Sequence, residues 1–192
     1  MNNQSLVGLF ESLIHKDWQL PQEAGYWIVT ETAKEATHTQ IKIGGCKSIA
    51  FSLDINQKNA WPFLTVALEG VRSVCDAIII AENNQKTYCL ILDMKSSIAG
   101  HAKAIKQIRS NYHFMQWLIS LLELHNHWQD KIYFAGIVSL KPRKTEAKGT
   151  SKRPAIPQPQ KNIFAPEFIF SLENHYRIVL PEIIKVIEQQ TL

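Results

Sequence analysis

The chain has 192 residues, 45% hydrophobic and 20% charged, with a formal net charge of +4, the profile of a globular protein long enough to bury a real core. No apolar run approaches the ~18 residues that span a bilayer, and the N-terminus lacks the basic-then-apolar order of a signal peptide, so no membrane is expected and the cytoplasm is the expected location. Cys46, Cys75 and Cys89 form no CxxC pair and no even framework, which excludes a disulfide scaffold and a thiolate zinc site; Cys75 and Cys89 read as small buried hydrophobes.

Residues 3–16 place Leu6, Leu9, Phe10, Leu13 and Ile14 at helical spacing, an amphipathic helix. Residues 26–32 are a β-rich run, and residues 38–43 and 47–54 flank Gly44-Gly45 as strands joined by a hairpin turn. Gly45-Cys46-Lys47-Ser48 resembles the tail of a P-loop but lacks the first glycine and the following helix, so a nucleotide site is rejected. Residues 56–73 fit either a short helix starting at Pro62 or a strand through Leu64, Val66 and Leu68, and Glu69 there reads as a cap rather than a site residue.

Residues 74–95 form the stretch with chemistry in it. Two apolar strands flank a polar turn, Asp76 enters the first strand, and Asp93-Met94-Lys95 closes the second. Strand side chains alternate faces, so Asp93 and Lys95 point the same way and Met94 the other. Whether Asp76 joins them depends on the hairpin register. A two-residue loop at Asn83-Asn84 sets Asp76 opposite Ile91 and diagonal to Asp93, whereas a four-residue loop, residues 83–86, sets Asp76 directly opposite Asp93. Either register gathers the three groups. Two close carboxylates repel unless a cation lies between them, and hard oxygen ligands suit Mg²⁺ or Mn²⁺ at about 2.0–2.2 Å. An adjacent lysine could then activate water and stabilise charge developing on a phosphate, which is metal-assisted phosphodiester hydrolysis.

After the hairpin, residues 101–125 form a long helix with Ile105, Ile108, Tyr112, Met115, Ile119 and Leu122 on one side. Gln107 lies off that stripe near Lys103, Asn111 and Phe114, towards the sheet's polar edge. His125 and His127 at its end read as residues favoured by the helix dipole rather than as metal ligands. Residues 131–140 read as a strand buried on both faces, returning parallel to the second hairpin strand by a right-handed crossover. Residues 164–172 read as an edge strand and residues 181–190 as a closing helix with Pro181 in its first turn.

Asp76, sixteen residues, Asp93-Met94-Lys95 and then a helix carrying Gln107 resemble the PD-(D/E)xK nuclease superfamily, with Cys75 where the name-giving proline would stand. The resemblance covers roughly residues 1–140. It implies an α/β fold with a restriction-endonuclease-like αβββαβ core, a central mixed sheet flanked by helices. It also implies that Asp76 and Asp93 bind Mg²⁺ or Mn²⁺, that Lys95 assists the attacking water, and that Gln107 orients water or supports Lys95. Many members carry a further acid on the first helix; Glu11 stands there but reads as a solvated helix residue.

The positive charge belongs to one segment. Residues 141–161 hold Lys141, Arg143, Lys144, Lys148, Lys152, Arg153 and Lys161 against Glu146 alone, so the rest of the chain is net negative. With five prolines and glycines among them, residues 141–162 read as a flexible basic loop able to lie on a phosphate backbone, and residues 163–192 complete the domain. The expected activity is that of a metal-dependent nuclease acting on DNA ahead of RNA, targeted by a partner subunit or by self-association, as in restriction, repair or phage-defence systems. The rivals are a non-catalytic nucleic-acid-binding or scaffold subunit of the same fold and a structural ion pair in an unrelated protein.

Overall fold

A computed structural model describes residues 5–31, 39–54, 61, 64, 70–140, 155–161, 165–173 and 175–191. The chain opens with helix α1 (Leu6–Leu13) and strands β1 (Gln22–Glu23), β2 (Tyr26–Thr30), β3 (Gln40–Gly44) and β4 (Lys47–Phe51). The hairpin β5 (Ala77–Asn83) and β6 (Lys86–Lys95) leads into the long helix α2 (His101–Leu124) and strand β7 (Ile132–Leu140). Strands β8 (Gln160–Lys161), β9 (Phe168–Glu173) and β10 (Arg177–Val179) and helix α3 (Leu180–Gln190) follow. The fold is mixed α/β with two mixed sheets, ordered β4-β5-β6-β7-β9-β8 and β1-β2-β3-β10. No helix among the described residues is long and apolar enough to cross a membrane.

Within the larger sheet β4, β5 and β6 are antiparallel neighbours, while β6, β7 and β9 run parallel. The parallel return of β7 after α2 is as expected from the sequence. Side chains paired across strands share a face. Ile78 of β5 therefore lies with Phe51, with Ile91 of β6 and with Gly136 of β7.

Helices α1 and α2 cover that face. Phe10 stacks on Phe51 with ring centroids 6.1 Å apart, and Glu82 accepts the Val7 amide at 3.1 Å. Ser5 caps α1 by accepting from the Gly8 amide at 3.2 Å, a contact worth ~1 kcal/mol. The three buried residues of α1, Leu6, Val7 and Phe10, each add about 1.5–3 kcal/mol of apolar burial. In α2, Ile108 lies directly over Gly136, where an added Cβ would stand 2.7 Å from its Cγ2. The glycine is what lets helix and strand approach this closely.

The opposite face is covered by α3 and the smaller sheet. Tyr88 donates its hydroxyl to Glu188 of α3 at 2.7 Å, and Trp27 of β2 donates Nε1 to Ser48 at 3.0 Å. Helix α3 begins at Leu180 with a proline in its first turn, the arrangement expected at its start.

Three sequence expectations are corrected. Strands β3 and β4 do not form a hairpin: β3 pairs with β2 and β10, β4 pairs with β5, and the corner at Gly44-Gly45 passes the chain from one sheet to the other. Gly45 takes φ +101°, and a Cβ on Gly44 would meet the Gly25 carbonyl oxygen at 2.6 Å, so both glycines serve this corner. Strand β9 is not an edge, because β8 pairs outside it. The hairpin loop is Asn84-Gln85, with Asn83 paired to Lys86, rather than Asn83-Asn84 or residues 83–86. Both loop residues have positive φ, 49° and 62°, the requirement of a tight hairpin turn. Most of residues 56–73, Glu69 among them, and the basic residues Lys141, Arg143, Lys144, Lys148, Lys152 and Arg153 lie outside the described residues.

Candidate active site

Hairpin pairing runs from Asn83↔Lys86 to Ala77↔Leu92, and one further step sets Asp76 opposite Asp93. This is the register expected of the longer loop, closed here by a tighter turn. Asp76, Asp93 and Lys95 therefore share the face covered by α2.

Asp76 stands just before β5, and its Oδ2 accepts the backbone amide of Met94 at 2.5 Å. The carboxylate thus continues the ladder one bond past the last backbone pair. The Met94 side chain is buried on the other face, as the alternation requires. Asp93 is fully buried. Its Oδ2 is ion-paired with the Lys95 ammonium, and neither carboxylate oxygen accepts a well-directed hydrogen bond among the described residues. The Lys95 stem lies along the start of α2, where a Cβ on Gly100 would be 2.9 Å from its Cδ.

The electrostatics follow from crowding acids in a dry place. Burial, and then the charge of Asp93, push the Asp76 carboxyl up to about 8, against the opposing hydrogen bond from Met94. Burial also raises Asp93, with Lys95 holding it down and Lys103 helping. Glu31, directly after β2, adds to the upward pressure on both acids. Its nearness is invisible in the sequence, where it stands 45 residues before Asp76 in a polar stretch without a pattern.

Gln107 comes to the same place from α2. It donates Nε2 to the Val74 carbonyl at 2.9 Å, two residues before Asp76, and its Oε1 is buried with no hydrogen-bond partner among the described residues. Asn111, one turn on, is buried in the helix stripe, donates to the Gln107 carbonyl at 2.9 Å and also carries a buried, unpartnered oxygen. The buried stripe of α2 is therefore Ala104, Ile108, Asn111, Met115, Ile119 and Leu122, and Gln107 borders it.

Other candidates are placed elsewhere. Glu11 is exposed. His125 is the C-cap of α2, with Asn126 following at positive φ. Lys161 in β8 is ion-paired with Glu167 at 3.2 Å. Cys75 and Cys89 are buried, and burial raises both thiols well above their usual range. A cavity of about 1170 Å³ lies at the turn end of the hairpin beside Lys47, Asn84 and Trp128, away from the acids.

The donor set fits a hard divalent cation. Mg²⁺ commonly takes one or two carboxylates and completes its shell with water and substrate phosphate. Asp76 and Asp93 supply two, and among the described residues the buried Asp93 Oδ1 and Gln107 Oε1 lack a hydrogen-bond donor. Among the described residues no group of three or more His, Cys, Asp or Glu side chains is gathered for a metal. Compared with protein-family models, curated proteins and solved structures, the chain gives no significant match.

Proposed function

We propose that this protein is a metal-dependent nuclease of the PD-(D/E)xK type, hydrolysing phosphodiester bonds in nucleic acid, with DNA as the substrate class. The observation that carries this reading is the facing pair of acids, half-buried Asp76 and fully buried Asp93, sharing one sheet face with Lys95. A protein gains little stability from burying two acids around one lysine, since apolar residues of similar volume would do as well or better. Perturbed carboxyls of this kind cluster at functional sites. The order α1, β4-β5-β6, α2, β7, with β1 to β3 set aside in a second sheet, supports the restriction-endonuclease-like αβββαβ core.

Asp76 and Asp93 would hold Mg²⁺ or Mn²⁺. The bound cation would supply Lewis-acid stabilisation of the phosphate and lower the pKa of a bound water. Lys95, aimed by its contact with Asp93 and by Gly100 beneath its stem, would position the attacking water and balance charge on the phosphate. Gln107, fixed by its bond to Val74, would orient water. The basic segment 141–161 would add sequence-independent affinity for the backbone, and a partner subunit or a second copy would supply targeting.

The test is cleavage of plasmid, linear duplex and single-stranded DNA, and of RNA, in Mg²⁺, Mn²⁺ or EDTA, by wild type, Asp93→Ala and Lys95→Ala. Metal-dependent cutting that both substitutions abolish is expected. Equal binding of nucleic acid by all three proteins with no cutting would instead favour a non-catalytic binding subunit.

A further inference from the structure

Beyond the acids and the lysine, the same sheet face carries a histidine and a serine that the proposed chemistry does not use. Asp93 pairs with Val138 of β7, and Val138 pairs with Ser171 of β9. Ser171 therefore stands in the same row as Asp93 on the same face, two strands away, or about 10 Å at ordinary strand spacing. His101, the first residue of α2, reaches down to it: Nε2 and the Ser171 hydroxyl are 2.7 Å apart. Both residues are half-buried. His101 follows Gly100, which lies against the Lys95 stem, so lysine, helix start and His–Ser pair form one continuous strip.

The pair always has a donor to spare. If the ring nitrogen donates to Ser171, the serine hydroxyl hydrogen is free; if it accepts, the ring N–H at Nδ1 is free. Among the described residues His101 Nδ1 has no partner. The first turn of α2 contains no acid, and the helix dipole favours an anion there.

We propose that His101 and Ser171 form a second phosphate-binding subsite, holding the phosphodiester next to the one cut over Asp76, Asp93 and Lys95. The proposal rests on the nuclease reading and adds to it a grip on the strand one nucleotide away from the chemistry. It makes His101 and Ser171 binding residues that set register along the backbone, with no part in activating water.

The test uses oligonucleotides in which single linkages flanking the scissile bond are replaced by neutral methylphosphonates. Wild type should lose roughly ten- to a hundredfold in kcat/KM at one flanking position, the range for a hydrogen bond to a charged group. His101→Ala and Ser171→Ala should show that loss, mainly as a higher KM, on the all-phosphate substrate, and no further loss when the same linkage is neutral. A melting curve checks that each variant is folded; should His101→Ala not fold, Ser171→Ala, which removes one oxygen, reads the same contact. Unchanged KM in the folded variants, or a methylphosphonate penalty that persists undiminished in them, overturns the subsite and leaves the nuclease reading standing. Wild type that cuts and binds no nucleic acid overturns both.

Discussion

The backbone amide of Met94 is held by the carboxylate of Asp76, so the residue between the acid and the lysine of β6 ties the two strands together at the site. On the proposed nuclease reading Asp76 thus has two separable roles, a neutral one as acceptor and a charged one as metal ligand. Asp76→Asn keeps the acceptor and should stay at least as stable as wild type while losing metal-dependent cleavage. Asp76→Ala removes both and should cost ~1–3 kcal/mol in denaturant unfolding, because a buried N–H is left unpaired. Equal instability of the two variants would refute the division.

The raised Asp76 carboxyl predicts how the metal-free protein responds to pH. Its pKa is about 8 when folded, against about 3.9 in an unfolded chain. A carboxyl raised in this way favours the folded state fully below the unfolded value, and that contribution is lost as pH climbs towards the folded value. In EDTA the melting temperature should fall between pH 5 and pH 8, and Asp76→Asn should flatten the decline. Mg²⁺ at pH 8 should restore stability in wild type and not in Asp76→Asn or Asp93→Asn, since a cation binds the ionised form. Parallel pH curves for wild type and Asp76→Asn would refute this account.

Gly100 offers a way to move Lys95 without touching it. Its φ of −77° suits any residue, so alanine brings no backbone strain, but the new Cβ meets Lys95 Cδ at 2.9 Å and Cγ at 3.2 Å. Gly100→Ala should turn the ammonium away from Asp93 and lower kcat on the order of ten- to a hundredfold, with a stability change below ~1 kcal/mol. Wild-type kcat in this variant would show that the lysine has room to yield.

Gly136 tests the seat of α2. Gly136→Ala sets a methyl group 2.7 Å from Ile108 Cγ2 in a fully buried contact, and should destabilise by ~1–3 kcal/mol in chemical denaturation. In an Ile108→Ala background, which lacks both Cγ2 and Cδ1, Gly136→Ala should cost less than it does in the wild-type background. No reduction would place the strain elsewhere.

What the sequence made legible was local or periodic. The long helix shows in the spacing of Ile108, Met115, Ile119 and Leu122, and the hairpin shows in its alternation and its Asn-rich turn. The grouping of Asp76, Asp93 and Lys95 survives either odd register, so it could be read before the loop was known. The β3–β4 corner could not: two strands around Gly-Gly look like a hairpin, and only their partners in different sheets show otherwise. Strand β9 reads as an edge in the sequence because the two residues of β8 leave almost no trace. Glu31 reaches the acids from beyond β2, and the His101–Ser171 contact depends on two successive parallel registers, which no local pattern encodes. Asn111 was hidden differently, as a polar residue in a stripe otherwise filled by apolar side chains.

Strand β6 bonds to β5 by a turn of two residues and to β7 only after α2 has crossed the sheet. During synthesis the hairpin, with both acids and the lysine, can therefore close early from contacts near in sequence, while Val138 and Ser171 join the row late, since parallel pairing waits on long loops. The charges meet before the wall that dries them exists. Until β7 and α2 dock, water would keep Asp76 and Asp93 ordinary surface acids, because the burial that raises both carboxyls requires that wall.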